Sequence, residues 1–185
     1  MAQEKEFSLG IIVGRFQTFH TGHQEVFRKA IALCGRVGVF IGSSQESGTF
    51  MNPFTYKTRE KIIRTVFGDQ VSIFPLPDIG VGNNSRWGDY VIRNVQERFG
   101  QAPDLLISGK ETRRIDWFDS VEGLRVAELY IPKTIEISAS QMRGFFAEDD
   151  EASYRKYTDP RLWEMYPSLR QAVLDSQHEL HTDSI

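Results

Sequence analysis

The chain has 185 residues, a formal net charge of −3, 40% hydrophobic and 12% aromatic residues, and one cysteine. Its apolar fraction excludes a disordered or collagen-like chain, and its length is ample for a core of its own. The lone Cys34 excludes an internal disulfide framework or a cysteine-rich zinc site, and the acidic balance argues against a nucleic-acid binder held by phosphate contacts. In chain order, Phe7 to Gly14 is aliphatic and ends at a glycine, which predicts a buried strand. Thr21 to Leu33 carries Val26, Phe27, Ala30, Ile31 and Leu33 as a helical stripe, with Cys34 placed in the helix and Gly35 as its stop. Val37 to Ile41 predicts a second strand, and Thr55 caps a helix bearing Ile62, Ile63, Val66 and Phe67.

Further along, Gln70 to Leu76 predicts a strand, Trp87 to Phe99 a helix, and Asp104 to Ser108 and Leu124 to Tyr130 two more strands. Ile135 to Ser138 leads into a helix from Ala139, and Glu148 to Glu151 reads as a solvated turn. From Asp159 onward Leu162, Met165, Leu169, Val173 and Leu174 share one helical face. This alternation predicts an α/β fold: a parallel sheet covered by helices on both faces, with a helical C-terminal extension. The expectation is a single domain over 1–185, its core at about 7–145 and its extension at about 146–185. The acidic start carries no apolar run, and the longest apolar runs are too short to span a membrane, so a cytoplasmic protein is expected. In such sheets ligands bind at the carboxyl ends of strands, which directs attention to the loops after Val13, Ile41, Leu76 and Ile107.

The four histidines form two pairs of equal spacing. His178 and His181 lie near a polar C-terminus and read as solvated. His20-Thr21-Gly22-His23 follows the first strand and opens the first helix, where free N–H groups and a glycine let an anion approach the backbone. Two imidazoles there form a donor set suited to a polyphosphate. The plainer reading, one histidine in a turn and the other in solvent, fits an arbitrary HxxH but not this strand–loop–helix setting. Other phosphate motifs fail: Gly109-Lys110 lacks the hydroxyl residue and distal glycine of a Walker loop, and Gly80-Val81-Gly82 lacks the third glycine of a dinucleotide fingerprint.

Gly14-Arg15-Phe16-Gln17-Thr18-Phe19-His20-Thr21-Gly22-His23 resembles the signature of the nucleotidyltransferase superfamily that shares the HxGH element. Ile137-Ser138-Ala139-Ser140-Gln141-Met142-Arg143 is similar to that superfamily's second signature, a hydroxyl-rich helix start followed by arginine. Gly42-Ser43-Ser44-Gln45-Glu46-Ser47, Asn52-Pro53-Phe54-Thr55 with Arg59, and Asn84-Ser85-Arg86-Trp87 after Pro77-Asp78-Ile79 are similar to the archaeal-type nicotinamide-nucleotide adenylyltransferases. The resemblance runs in order from Gly10 to about Phe145. It departs at Thr18, where the family usually has proline, at Ser140 (threonine) and at Thr58 (an acidic residue), and it weakens over 111–122 and the C-terminal tail. Some bacterial relatives fuse this domain to a Nudix hydrolase, which this chain is expected to lack.

The resemblance implies a Rossmann-like nucleotidyltransferase fold and transfer of AMP from ATP to nicotinamide mononucleotide, giving NAD and pyrophosphate. His20, His23 and Arg143 would be catalytic. Gly14, Arg15, Phe16, Gly22, Ser138 and Ser140 would join them in binding ATP. Ser43, Asn84, Trp87, Arg15 and Arg59 would bind the nicotinamide nucleotide, Trp87 by stacking and Asn84 by reading the carboxamide, although a helix arginine such as Arg59 is more often simply solvated. Trp117 and Trp163 lack such context and read as structural. Mg²⁺ would enter with ATP, held by phosphates and water. Relatives of this type form homo-oligomers, for which the apolar C-terminal helix offers a face. The alternatives are another acceptor, nicotinate mononucleotide or phosphopantetheine, or a NAD-sensing module without turnover.

Overall fold

The computed structural model describes residues 4–109, 117–118, 123–132 and 134–182. Five parallel strands, β1 (Phe7–Gly14), β2 (Cys34–Gly42), β3 (Ser72–Leu76), β4 (Leu105–Ser108) and β5 (Ala127–Tyr130), form one sheet in the order β3-β2-β1-β4-β5. Between them run α1 (Thr21–Leu33), α2 (Tyr56–Phe67) and α3 (Ser85–Phe99); α4 (Ala139–Ala147), α5 (Glu151–Lys156) and α6 (Tyr166–Thr182) follow. The two-residue period of the strands divides the core. Ile12, Val39, Ile41, Leu105 and Ile107 face the side covered by α1, α2, α4 and α6, whereas Leu9, Ile11, Phe40 and Leu106 face Val91 and Val95 of α3. This is the expected Rossmann-like nucleotidyltransferase architecture.

Among the differences from the sequence expectation, three have a clear physical cause. Cys34 does not continue α1: the chain passes from Leu33 into β2 without a loop, and Cys34 fills the space that glycine leaves at position 10. Burial, then the charge of Asp104, raises the thiol pKa to about 11, so Cys34 stays protonated and inert. The 70–76 strand starts later, at Ser72, because Gly68–Gln70 closes a 3-10 turn after α2. The acidic stretch 148–151 is more than a solvated turn: Asp149 adopts a left-handed φ of 58° and pairs with Arg170 at 2.9 Å, and Asp150 caps α5.

The apolar face of the C-terminal region is spent internally. Leu162, Leu169 and Val173 are buried in the larger core, and Tyr166 stacks on Phe146 of α4. It is therefore not the spare oligomer face that its apolar stripe suggested. The side chains of His178 and His181 lie outside the described residues. Among the described residues, no helix is long and apolar enough to cross a membrane.

The sheet order reverses beside β1: the chain first moves outward through β2 and β3, then returns to the other side as β4. Loops leaving β1 and β4 diverge there, which opens a crevice at the carboxyl edge of the sheet.

Candidate active site

A cavity of about 940 Å³ occupies that crevice. Its walls come from the ends of β1 (Val13, Gly14), β2 (Gly42, Ser43) and β4 (Ser108, Gly109), the first turn of α1 and the start of α4. All four loops singled out from the strand pattern reach it, through Arg15, Ser43, Ile79 and Gly109 among others. Of the expected site residues, Gly14, Arg15, Phe16, His20, Gly22, His23, Ser43, Trp87, Ser138 and Arg143 line it; Ser140, Asn84 and Arg59 do not.

The loop after β1 is built around rings. Phe16 takes a left-handed φ of 50° and folds back over Gly14, where a Cβ would stand 2.8 Å from its Cζ. Such a backbone costs roughly 1–3 kcal/mol and persists only where packing enforces it. Here Phe16 meets His23, Phe27 and Phe19 edge-on, and Phe19 stacks on His23 at 5.4 Å. The His20 ring lies 3.9 Å from that of His23, and Gly22 leaves room for it: a Cβ there would be 3.1 Å from the His20 ring.

This packing decides the chemistry of His23. Burial, and secondarily the nearby His20, drives its pKa well below 6.5, so the ring is neutral at pH 7. Its Nδ1 accepts the main-chain N–H of His20 at 3.3 Å. The proton of the neutral ring therefore resides on Nε2, which makes His23 a hydrogen-bond donor with a fixed tautomer.

Arg143 sits in the first turns of α4, which Ser138 caps by accepting the N–H of Gln141 at 3.2 Å. The Ser138 hydroxyl is thus engaged in the cap, and what the helix start offers the cavity is its main-chain N–H groups beside Ala139. Ser140 acts at one remove: its Oγ accepts from Arg143 Nη2 at 3.1 Å. Arg143 is buried, its Nε lacks a partner, and burial and then the charge of Arg15 lower its pKa.

Arg59 requires a correction. It is fully buried, and its guanidinium donates to main-chain carbonyls: Nε to Thr55, Nη1 to Arg15 and Gly42, Nη2 to Ser43 and Glu46, at 2.8 to 3.4 Å. No donor is left for a substrate phosphate, so Arg59 ties the loops after β1 and β2 together. Burial, then the charge of Arg15, lowers its pKa to about 10, still charged at neutral pH. Ser43, held at a φ of 47° beside it, is one of the strained positions Arg59 secures.

Asn84 is corrected likewise. Its Oδ1 caps α3 by accepting from Arg86 N at 3.0 Å and Trp87 N at 3.3 Å, and it does not line the cavity. Its neighbour Asn83 does, accepting the indole N–H of Trp117 at 2.6 Å. Trp117, expected to be structural, also lines the cavity and meets Trp87 edge-on at 6.4 Å. Nothing in the local sequence marked Trp117, because it comes from a distant segment. Gly80 and Gly82 line the same wall with positive φ, serving as turn glycines, not a nucleotide fingerprint.

Residues 11–145 match the model of the cytidylyltransferase-like family. The chain belongs to that family. Its relatives include the nicotinamide-nucleotide adenylyltransferase of Saccharolobus solfataricus, 39% identical over 90 residues that make up 45% of this chain and 51% of that one. The enzyme of the same name from Thermococcus kodakarensis is 37% identical over 92 residues, 46% of this chain and 48% of that one. The chain thus spans about half the length of the curated relatives it matches. A bifunctional NMN adenylyltransferase/ADP ribose pyrophosphatase from Francisella tularensis, solved with AMP and a manganese ion, superposes with a TM-score of 0.74 over 95% of this chain and 54% of that one. At 20% identity that likeness concerns the family's fold.

The low pKa of His23 has a measurable consequence. The folded state holds it neutral while the unfolded chain protonates near 6.5, so its stabilising contribution is complete above that pH and is lost as pH falls toward the lower folded value. The melting temperature is expected to fall from about pH 6.5 to about pH 5, and His23→Gln to flatten that fall. Parallel curves for the two proteins would contradict a neutral His23.

Proposed function

We propose that the chain is a nicotinamide-nucleotide adenylyltransferase, joining AMP from ATP to the 5′-phosphate of nicotinamide mononucleotide. The observation that carries this reading is the composition of the cavity. Arg15 and Arg143 both line it and repel one another, and Arg143 has no carboxylate partner among the described residues, although Glu25 and Asp78 also line the wall. At one end stand Trp87 and Trp117. Two neighbouring cations are an unfavourable arrangement that a polyanion relieves, and the half-buried Trp87 indole offers a face for a flat ring, while Trp117 is buried in the smaller core. The names of the relatives supply the acceptor.

The chemistry asks little of side chains as bases. An oxygen of the acceptor phosphate, already anionic, forms the new bond to the α-phosphorus, and the bond from that phosphorus to the bridging oxygen breaks as pyrophosphate leaves. The barrier lies in aligning two polyanions and neutralising their repulsion. Arg143 and the N–H groups at the start of α4 would hold the β- and γ-phosphates, with Ser140 orienting Arg143. Neutral His23 would donate its Nε2 proton's hydrogen bond to the α-phosphoryl oxygens, with His20 beside it. Among the described residues no group of three or more His, Cys, Asp or Glu could hold a metal ion. A Mg²⁺ ion would arrive on the ATP phosphates and neutralise charge there. Asn83, with Trp117 fixing its Oδ1, takes over the carboxamide role first expected of Asn84.

Incubated with ATP, Mg²⁺ and nicotinamide mononucleotide, the protein is expected to form NAD, with nicotinate mononucleotide and phosphopantetheine as competing acceptors. His23→Ala should lower kcat by the equivalent of about 3–4 kcal/mol, the cost of one preorganised donor. Turnover close to wild type in that variant would refute the role given to His23. Trp87→Ala should raise the KM for the nicotinamide nucleotide well above any rise for ATP. Equal rises would remove Trp87 from the acceptor end.

A further inference from the structure

The loop between β2 and α2 forms an arch with two tied feet. Arg59 holds the first through the carbonyls of Ser43 and Glu46, and Gln17 clamps the second, accepting from Phe54 N at 2.9 Å and donating to Phe54 O at 3.3 Å. At the tip, Thr49 and Asn52 exchange main-chain hydrogen bonds of 3.3 and 3.0 Å. The arch carries Phe50, 40% exposed, across to α4, where the Arg143 guanidinium carbon lies 5.1 Å from the centre of its ring.

A phenylalanine as exposed as Phe50 has little core to stabilise, but Arg143 has a need that it meets. A side chain that must present full positive charge to a triphosphate is poorly served by a carboxylate partner, which would neutralise it and repel the ligand. An aromatic face attracts the cation without cancelling its charge. The five N–H groups of a guanidinium lie in its plane, so a ring on its face consumes none of them. Ser140 takes one Nη2 donor, and Nε remains buried without a partner.

We propose that Phe50 is a positioning residue that holds Arg143 by its face so that the edge of the guanidinium meets the polyphosphate, a role that rests on reading the site as one for ATP. Phe50 does not touch the reacting atoms; it removes freedom that a long arginine, held otherwise by Ser140 through one donor, would lose on binding. The arch, tied at both feet, supplies the rigidity that this requires.

Calorimetric titration with Mg·ATP and with inorganic tripolyphosphate tests the idea in the wild type, Phe50→Leu, Phe50→Tyr and the same changes combined with Arg143→Gln. Leucine keeps apolar bulk but has no ring face, and should weaken both ligands about fivefold. Tyrosine should restore binding to within about twofold, and in the Arg143→Gln background Phe50→Leu should have no further effect. Unchanged or tighter binding in Phe50→Leu, failure of tyrosine to rescue, or the same loss with Arg143 already absent would each overturn the proposal. A wild type that binds neither ligand would instead overturn the adenylyltransferase reading on which it stands. Phe50→Leu and Phe50→Tyr, changed at an exposed position, should melt alike, so a difference in affinity between them reports the ring.

Discussion

The site depends on a buried guanidinium that never needs to meet a ligand. The β1–β2 ladder ends at Gly14 and Ile41, and Arg59 donates to the carbonyls that lie just beyond it, of Arg15, Gly42, Ser43 and Glu46. Hydrogen bonds from a charged donor are stronger than neutral ones, and inside the fold each satisfies an acceptor that would be expensive to leave unpaired. Two strained backbone positions, Phe16 and Ser43, flank those carbonyls, and the arch that carries Phe50 starts from them. Shape at the carboxyl edge of the sheet is therefore bought with one arginine and presented by others.

Those others are kept in an electrostatically unfavourable state. Arg15 lies close enough to Arg59 and Arg143 to depress the pKa of each after burial has done so. His23, on α1, is held neutral by burial and by the neighbouring His20. The pattern is coherent: a further cation would worsen the repulsion, whereas a neutral ring with a fixed N–H still donates to phosphoryl oxygens. The proposed substrates would complete the charge balance of this cavity.

Much of this was legible in the sequence, for identifiable reasons. β1 and α1 have the predicted bounds because their periodicity is clean, and the HxGH element sits where strand, glycine and helix start coincide. Arg143 and Trp87 stand in the cavity as the resemblance implied. Arg59 and Asn84 were misread because a polar side chain in a motif looks the same whether its partner is a ligand or the chain's own backbone. Only the fold reveals the carbonyls around Arg59 and the helix start beneath Asn84. Asn83 with Trp117, and Phe50 with Arg143, join residues far apart in the chain, which no local pattern records. Cys34 was misplaced because α1 meets β2 without a loop, so the boundary had no punctuation to mark it.

In our proposal the positive charge of Arg15 and Arg143 at the carboxyl edge of the sheet makes this cavity a polyphosphate site. Thermal melting with inorganic tripolyphosphate, set beside adenosine at the same concentration, tests it without any assumption about the acceptor or about turnover. A ligand that binds only the folded state raises stability by about 2.7 kcal/mol at a hundredfold excess over its dissociation constant, enough for a clear rise in Tm. Tripolyphosphate should raise Tm, and Arg143→Gln should abolish that rise. A rise with adenosine alone, or a tripolyphosphate effect indifferent to Arg143, would contradict the proposal.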